Sequence, residues 1–281
     1  MHREAWAGDH RGMLRLFSSL SRSRRWPALL GTAALLPLLA ACASRARAVD
    51  SAEREFDGQR FHVVTIDLAR QTLSLHWRDP DSGVAFGSIE NLQHWGERHG
   101  RRLLFAANAG IYDRRNAPLG LFVEDGHVRV PLNMAHGNPA AGNFSLRPNG
   151  VFAVYPDGHA AVRTSEAFKA GGKPVTLATQ SGPMLVIDGR LNPQFEDESA
   201  SVKWRSGVCA ATPQKVVFAV SETPVNFHTF ARLFRDGLGC RDALYLDGTI
   251  SQMYVDGEGY SGAPTFMLKP YAGIFAVFDK P

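Results

Sequence analysis

Leu119-Gly120-Leu121-Phe122-Val123-Glu124-Asp125-Gly126-His127-Val128-Arg129-Val130 predicts two short strands, Leu119 to Val123 and His127 to Val130, joined by a tight turn. An Asp-Gly pair tolerates positive φ at both central positions, and such turns match the twist of paired strands. The pattern recurs. Met184 to Ile187 and Leu191 flank Asp188-Gly189-Arg190, and Asn143 to Leu146 and Val151 to Tyr155 flank Pro148-Asn149-Gly150. Arg60 to Leu68 and Gln71 to Trp77, broken at Ala69-Arg70, give a further hairpin candidate. Val216 to Val220 and Gly273 to Phe278 are continuous apolar strands. Helices are few. Ile89 to His99 has helical spacing (Ile89, Leu92, Trp95) and a stop at Gly100. Phe227 to Asp236 has Asn226 as a cap and Phe227, Phe230, Ala231 and Phe234 on one face. Hairpins interrupted by occasional helices predict an α+β fold: a single domain with a large mixed, mainly antiparallel sheet flanked by helices.

The N-terminus has a different character. Arg22, Arg24 and Arg25 precede an apolar stretch from Trp26 to Leu39, followed by Ala40-Ala41-Cys42. A basic segment, a short apolar run and small residues before a cleavage point make a secretory signal. The run is too short to span a membrane comfortably. The cysteine placed directly after Ala40-Ala41 resembles a bacterial lipoprotein signal, with Cys42 lipidated. The expected organisation is a signal peptide over 1–41, a polar tether over 42–57 and a domain over 58–281. The expected location is the cell envelope, anchored to a membrane, with the periplasmic face of an outer membrane suggested by Ala43-Ser44 after the cysteine. Six of the 31 basic and two of the 27 acidic residues fall in 1–41, which leaves 25 of each. The basic balance belongs to the leader and gives no reason to expect nucleic-acid binding. Cys209 and Cys240 remain in the domain. An exported pair suggests a disulfide, although two buried thiols fit the apolar flanks equally well.

Polar groups collect at the ends of apolar strands. Phe105-Ala106-Ala107 runs into Asn108-Ala109-Gly110-Ile111-Tyr112, and Ala178-Thr179 into Gln180-Ser181-Gly182-Pro183. Ala243-Leu244-Tyr245 runs into Leu246-Asp247-Gly248-Thr249-Ile250-Ser251. Three such ends suggest one composite pocket. No phosphate loop, dinucleotide fingerprint or Gly-x-Ser-x-Gly elbow is present. His94 and His99 lie five apart and do not share a helix face, so no metal site is expected there.

Taken in order with Gly142-Asn143-Phe144, Asn149-Gly150 and Arg205-Ser206-Gly207-Val208-Cys209, these segments resemble the phosphodiester glycosidase family from about Phe61 to the C-terminus. Its best-known member is the uncovering enzyme of lysosomal targeting. The chain departs from the family pattern at Ala109 and Thr249, where glycine is frequent. The resemblance implies hydrolysis of a sugar-1-phosphodiester such as a GlcNAc-1-phosphodiester, in envelope or extracellular glycans. It implies a carbohydrate-phosphate substrate and no obligatory cofactor, with a divalent ion left open. That chemistry asks for a carboxylate near the anomeric carbon, a cation near the phosphate and amides for hydroxyls. Asp247 is the expected base or nucleophile, Arg205 the phosphate-binding cation through its fork, and Glu222 the alternative acid. Asn108, Gly110, Gln180, Ser181, Gly182 and Ser251 are expected to line the substrate, with Tyr112 and Tyr254 as stacking candidates. A glycan-binding lipoprotein without turnover, or a hydrolase of another glycoside or phosphoester, remains an alternative.

Overall fold

The computed structural model describes residues 49–135, 139–248, 250–267 and 269–279. Cys42 and the signal segment lie outside these residues. The elements are, in chain order, β1 (Asp50–Phe56), β2 (Gln59–Asp67), β3 (Leu73–His76), α1 (Ile89–Arg98), β4 (Leu103–Asn108), β5 (Phe122–Glu124) and β6 (His127–Val130). There follow β7 (Gly150–Val154), β8 (Ala160–Thr164), α2 (Ser165–Gly171), β9 (Leu177–Ser181), β10 (Met184–Ile187) and β11 (Arg190–Leu191). The last are β12 (Ser206–Thr212), β13 (Lys215–Ser221), α3 (Phe227–Arg232), β14 (Ala243–Asp247), β15 (Gln252–Val255), β16 (Gly259–Gly262) and β17 (Ile274–Phe278).

The fold is α+β, and the paired strands run antiparallel. They are divided among three sheets, in the orders β1-β2-β13-β12-β14-β10-β11, β16-β15-β4-β17-β3 and β6-β5-β9-β7-β8. The sheets close on one core. Phe218 from the first sheet lies 5.0 Å from Phe105 and 5.1 Å from Phe275 of the second, and Phe152 of the third lies 5.5 Å from Phe275 (ring centroids). Alternate residues of β13 explain why its sequence is apolar throughout. Val216, Phe218 and Val220 face this core, while Val217 and Ala219 face the layer under α3. A strand buried on both faces shows no alternation in sequence. The third layer places α1 against β4 and β17 through Leu92, Trp95, Ala106 and Phe278.

Several expectations change. Residues 50–56, expected in the tether, form β1, paired with β2 from Asp50↔Thr65 to Phe56↔Gln59. Ser51 Oγ donates to Glu258 at 2.8 Å and so ties this strand to the far end of the chain. The turn is Asp57-Gly58, with φ of 48° and 67°, the same chemistry as Asp125-Gly126 and Asp188-Gly189. That signal was present in the sequence. β2 and β3 are no hairpin, since β2 pairs β1 and β13 while β3 pairs β17. Residues 143–146 are no strand; a 3₁₀ segment spans Pro139–Ser145, and β7 pairs β8 and β9 instead. The helix from Phe227 is α-helical to Arg232 and ends in a wider π turn over Leu233–Gly237, capped by Asn226, whose side chain accepts from Thr229 N–H. Cys209 on β12 and Cys240 after that turn are bonded, with their Cα atoms 6.2 Å apart.

Candidate active site at the meeting of three sheets

The polar strand ends come from all three sheets. Asn108 ends β4, Ser181 ends β9, Asp247 ends β14, Arg205 precedes β12, and Gln252 opens β15. Ser206 joins them: its hydroxyl donates to Asn108 Oδ1 at 3.2 Å, and its backbone is paired with Asp247. Asn108 Oδ1 also accepts from Gln252 N–H at 3.2 Å. Between Ser206↔Asp247 and Gly207↔Tyr245 the register slips by one residue, a bulge at Leu246. Bulges bend a strand and re-aim the side chains that follow. Here the bulge immediately precedes Asp247, which stays paired with Ser206 at the end of β14, while Leu246 lies in the core.

Asp247 is the electrostatic centre. Burial pushes its carboxyl up to about 7, and the Gly248 N–H bound to its Oδ1 at 2.6 Å only partly offsets this. Desolvation disfavours the charged form, and no nearby cation restores it. Around it stand three tyrosines, Tyr112, Tyr245 and Tyr271. All three hydroxyls are held above their usual range, chiefly by burial and secondarily by neighbouring charge, that of Asp247 included. Tyr245 responds to both Asp247 and Arg205, which places its phenol in the field of both. Its hydroxyl accepts from Asn143 Nδ2 at 3.2 Å. Gly248 is glycine for space: a Cβ there would lie 2.6 Å from the Tyr245 hydroxyl.

Arg205 is buried to 1% exposure, and its fork is not free. Nε donates to Val225 O and Nη2 to Ser201 O, each at 2.8 Å, and the guanidinium lies 3.6 Å above the Phe227 ring. Burial lowers its proton affinity from the usual arginine value. Only Nη1 lacks a partner among the described residues, as does Asn108 Nδ2. Bidentate clamping of a phosphate through Nε and Nη2 is therefore replaced by what Nη1 alone can donate. Buried donors left unpaired are costly; the Tyr245 hydroxyl interacts with the Arg205 guanidinium without giving Nη1 a well-formed hydrogen bond, and Asn108 Nδ2 has no partner among the described residues.

Other expected site residues are committed to the scaffold. Gln180 precedes Ser181 and, by the two-residue period of a strand, faces away. Its Oε1 accepts from Leu121 and Asn133 N–H at 3.0 and 2.8 Å; its Nε2 donates to Asn133 O and Ser165 Oγ, both at 2.8 Å. With all four positions used, it clamps loops and has nothing left for substrate. Ser181 Oγ donates to Leu246 O and Ser251 Oγ to Asp247 O, so both fix the backbone that carries Asp247. Gly182 leaves room for Asn149 rather than for a ligand, and Gly110, with φ of 115°, packs on Thr179 and Ser181. Glu222 is half-buried with its N–H on Arg60 O. β12 separates its strand from that of Asp247, which sets the strand axes about 10 Å apart. Tyr254 is on β15 with its ring 5.2 Å from Tyr260, on the α1 side. Ser206, Tyr245 and Tyr271 were not singled out from sequence. Ser206 sat inside a quoted motif; Tyr271, in an irregular segment, had no periodicity to mark it.

Comparison with known proteins gives the class to which this fold belongs. The phosphodiester glycosidase profile matches residues 101–278, and the chain belongs to the phosphodiester glycosidase family. It is 38% identical over 216 residues to the uncharacterized protein YigE of Escherichia coli (strain K12), the match covering 77% of this chain and 81% of that one. It shares its fold with the catalytic domain of zebrafish N-acetylglucosamine-1-phosphodiester α-N-acetylglucosaminidase, auto-inhibited by its pro-peptide. There the TM-score is 0.56 at 15% identity, over 83% of this chain and 82% of that one. A hypothetical protein from Synechocystis superposes with a TM-score of 0.50 at 14% identity, over 83% and 62% of the respective chains.

Proposed function

We propose that this protein hydrolyses a sugar-1-phosphodiester, with Asp247 as the carboxylate that acts at the anomeric carbon. The observation that carries this is the placement of Asp247 at the end of β14, paired with Ser206, which holds Asn108 of a second sheet; burial there pushes the carboxyl up to about 7. A group that titrates near neutrality serves well in proton transfer. As base it takes a proton from water as the oxygen attacks the anomeric carbon and the C–O bond to phosphate breaks; as nucleophile its own oxygen bonds to the anomeric carbon while the C–O bond to phosphate breaks, and water then cleaves that ester to release the sugar and regenerate the carboxylate. The leaving phosphate monoester departs as an anion and needs little protonation. Arg205 Nη1 and Asn108 Nδ2 supply donors for phosphate or sugar oxygens. The test offers the wild-type protein a GlcNAc-1-phosphodiester and bis-(p-nitrophenyl) phosphate. Free sugar from the first and no nitrophenol from the second is the expected result. The reverse would make it a phosphoesterase, and silence on both would favour glycan binding without turnover.

The setting proposed is the cell envelope, through a lipid on Cys42. The supporting feature is the apolar run closed by Ala40-Ala41-Cys42. Cys42→Ala should move the protein from the membrane to the soluble fraction or leave the signal uncleaved. An unchanged fractionation and N-terminal peptide mass would remove the anchor.

A further inference from the structure

A cavity of about 700 Å³ opens beside Tyr271 and Gln252, between the start of α1 and the β15–β16 pair. Its walls include Asn91, His94 and Tyr260. A second hollow of about 210 Å³ shares Asn91 and His94 with it and continues along α1 to Arg98 and Asp79. The two make an elongated trough along one helix. The larger volume lies within the range of about 300–1,000 Å³ usual for ligand sites, and the continuation gives it length.

The lining is chemically specific. Gln252 is 2% exposed, yet its amide makes one long contact, Nε2 to Thr265 Oγ1 at 3.5 Å, and its Oε1 accepts from no described residue. Among the described residues, then, this amide at the cavity wall makes only that long contact, which leaves it able to meet a ligand that supplies donors and acceptors. Across from it, Tyr260 is 45% exposed, a flat amphipathic ring at the wall. Phe266, 88% exposed, follows Thr265 at the rim. The charges, Lys269 and Glu90, oppose one another. Amides beside open aromatic faces, with no net charge, match rings that carry hydroxyls on their edges and C–H groups on their faces. The first-turn N–H of Ile89 is already held by the Tyr271 hydroxyl at 3.1 Å, so the helix end is not a free anion site.

We propose that this trough binds consecutive neutral sugar units of a glycan chain. It adjoins the Asp247 centre through two residues. Tyr271 lines the trough and is in the field of Asp247; Gln252 lines it with its side chain while its N–H holds Asn108. The inference that the chain leads toward the reacting group rests on the role proposed above for Asp247. Binding in the trough does not.

The probe is a set of immobilised N-acetylglucosamine and mannose chains of one to six units, read for retention of the full-length protein without any turnover. Retention should rise at least tenfold between one and three units in one of the two series. Tyr260→Ala should return it to the one-unit level, and His94→Ala, at an exposed position, should lower it several-fold. Equal retention at all lengths, no retention in either series, or full retention by folded Tyr260→Ala would each overturn the proposal. A protein that binds chains but cleaves no diester would refute the catalytic reading alone.

Discussion

Asp247→Asn is expected to lower turnover of a GlcNAc-1-phosphodiester by about a hundredfold or more, in line with what positioned acid–base groups contribute, while making the protein more stable above neutral pH. The carboxyl titrates near 7 in the fold against an ordinary 3.8. A raised carboxyl means that the folded protein keeps a proton that the unfolded chain gives up between about pH 4 and 7. Stability therefore falls as pH rises through that window, and the loss is complete above it. About three pH units at 1.36 kcal/mol each bound the effect near 4 kcal/mol, and the partial accessibility of the residue reduces it to about 1–3 kcal/mol. Asn keeps the oxygen that Gly248 N–H binds and discards the charge. At pH 8 the variant should melt about 3–10 °C higher than wild type, with no difference near pH 4. As base or nucleophile Asp247 works ionised, so wild-type kcat/KM should climb with pH through an apparent value near 7. Full activity in a folded Asp247→Asn variant would remove it from the mechanism and make Glu222 the next carboxylate to test. Equal melting at pH 4 and 8 in both proteins would show that its titration is not shifted.

The disulfide gives the second large effect. Cys209 and Cys240 are 31 residues apart in sequence, and loop-closure entropy assigns such a bridge about 3–4 kcal/mol. The loop encloses β13 and α3, and the bond ties β12 to the segment that follows the helix. The Cys209→Ala/Cys240→Ala protein should melt about 6–15 °C lower while keeping its affinity for substrate, since neither sulfur touches the Asp247 cluster. A melting change under about 2 °C, or two free thiols in a non-reducing peptide map of the protein, would retire the bridge. The helix behind it also carries Phe227, the ring on which Arg205 lies. Disruption extending to that face would show as lost activity in a still-folded variant.

The two Asp-Gly hairpins at Gly126 and Gly189 were legible because a two-residue turn writes its geometry into two adjacent residues. Asp57-Gly58 carried the same signal, but the polar character of β1 drew it into the tether. β1 is an edge strand whose residues are mostly exposed, so its composition resembles that of a linker. Helix α1 and the start of α3 were legible from apolar spacing and caps. The antiparallel α+β class followed from the number of short strands, and the ordered strand-end motifs pointed to the family.

Which strands pair across the chain was not legible. β2 and β3 are neighbours in sequence but belong to different sheets, because they pair with β13 and β17, some 150 residues or more downstream, and no local signal marks such partners. Roles at the site were divided in the same way. Sequence placed Asn108, Gln180 and Asp247 at strand ends and Arg205 in a family-like motif, and tertiary structure alone decided which way each faces. A one-residue step along β9 turns Gln180 into a loop clamp and Ser181 toward β14. A bulge at Leu246 re-aims Asp247 at the end of β14, and the carbonyls of Ser201 and Val225 occupy the Arg205 fork. Residue type determines what a side chain is able to do. The burial that raises Asp247 toward neutrality exists only once three sheets have closed on one core.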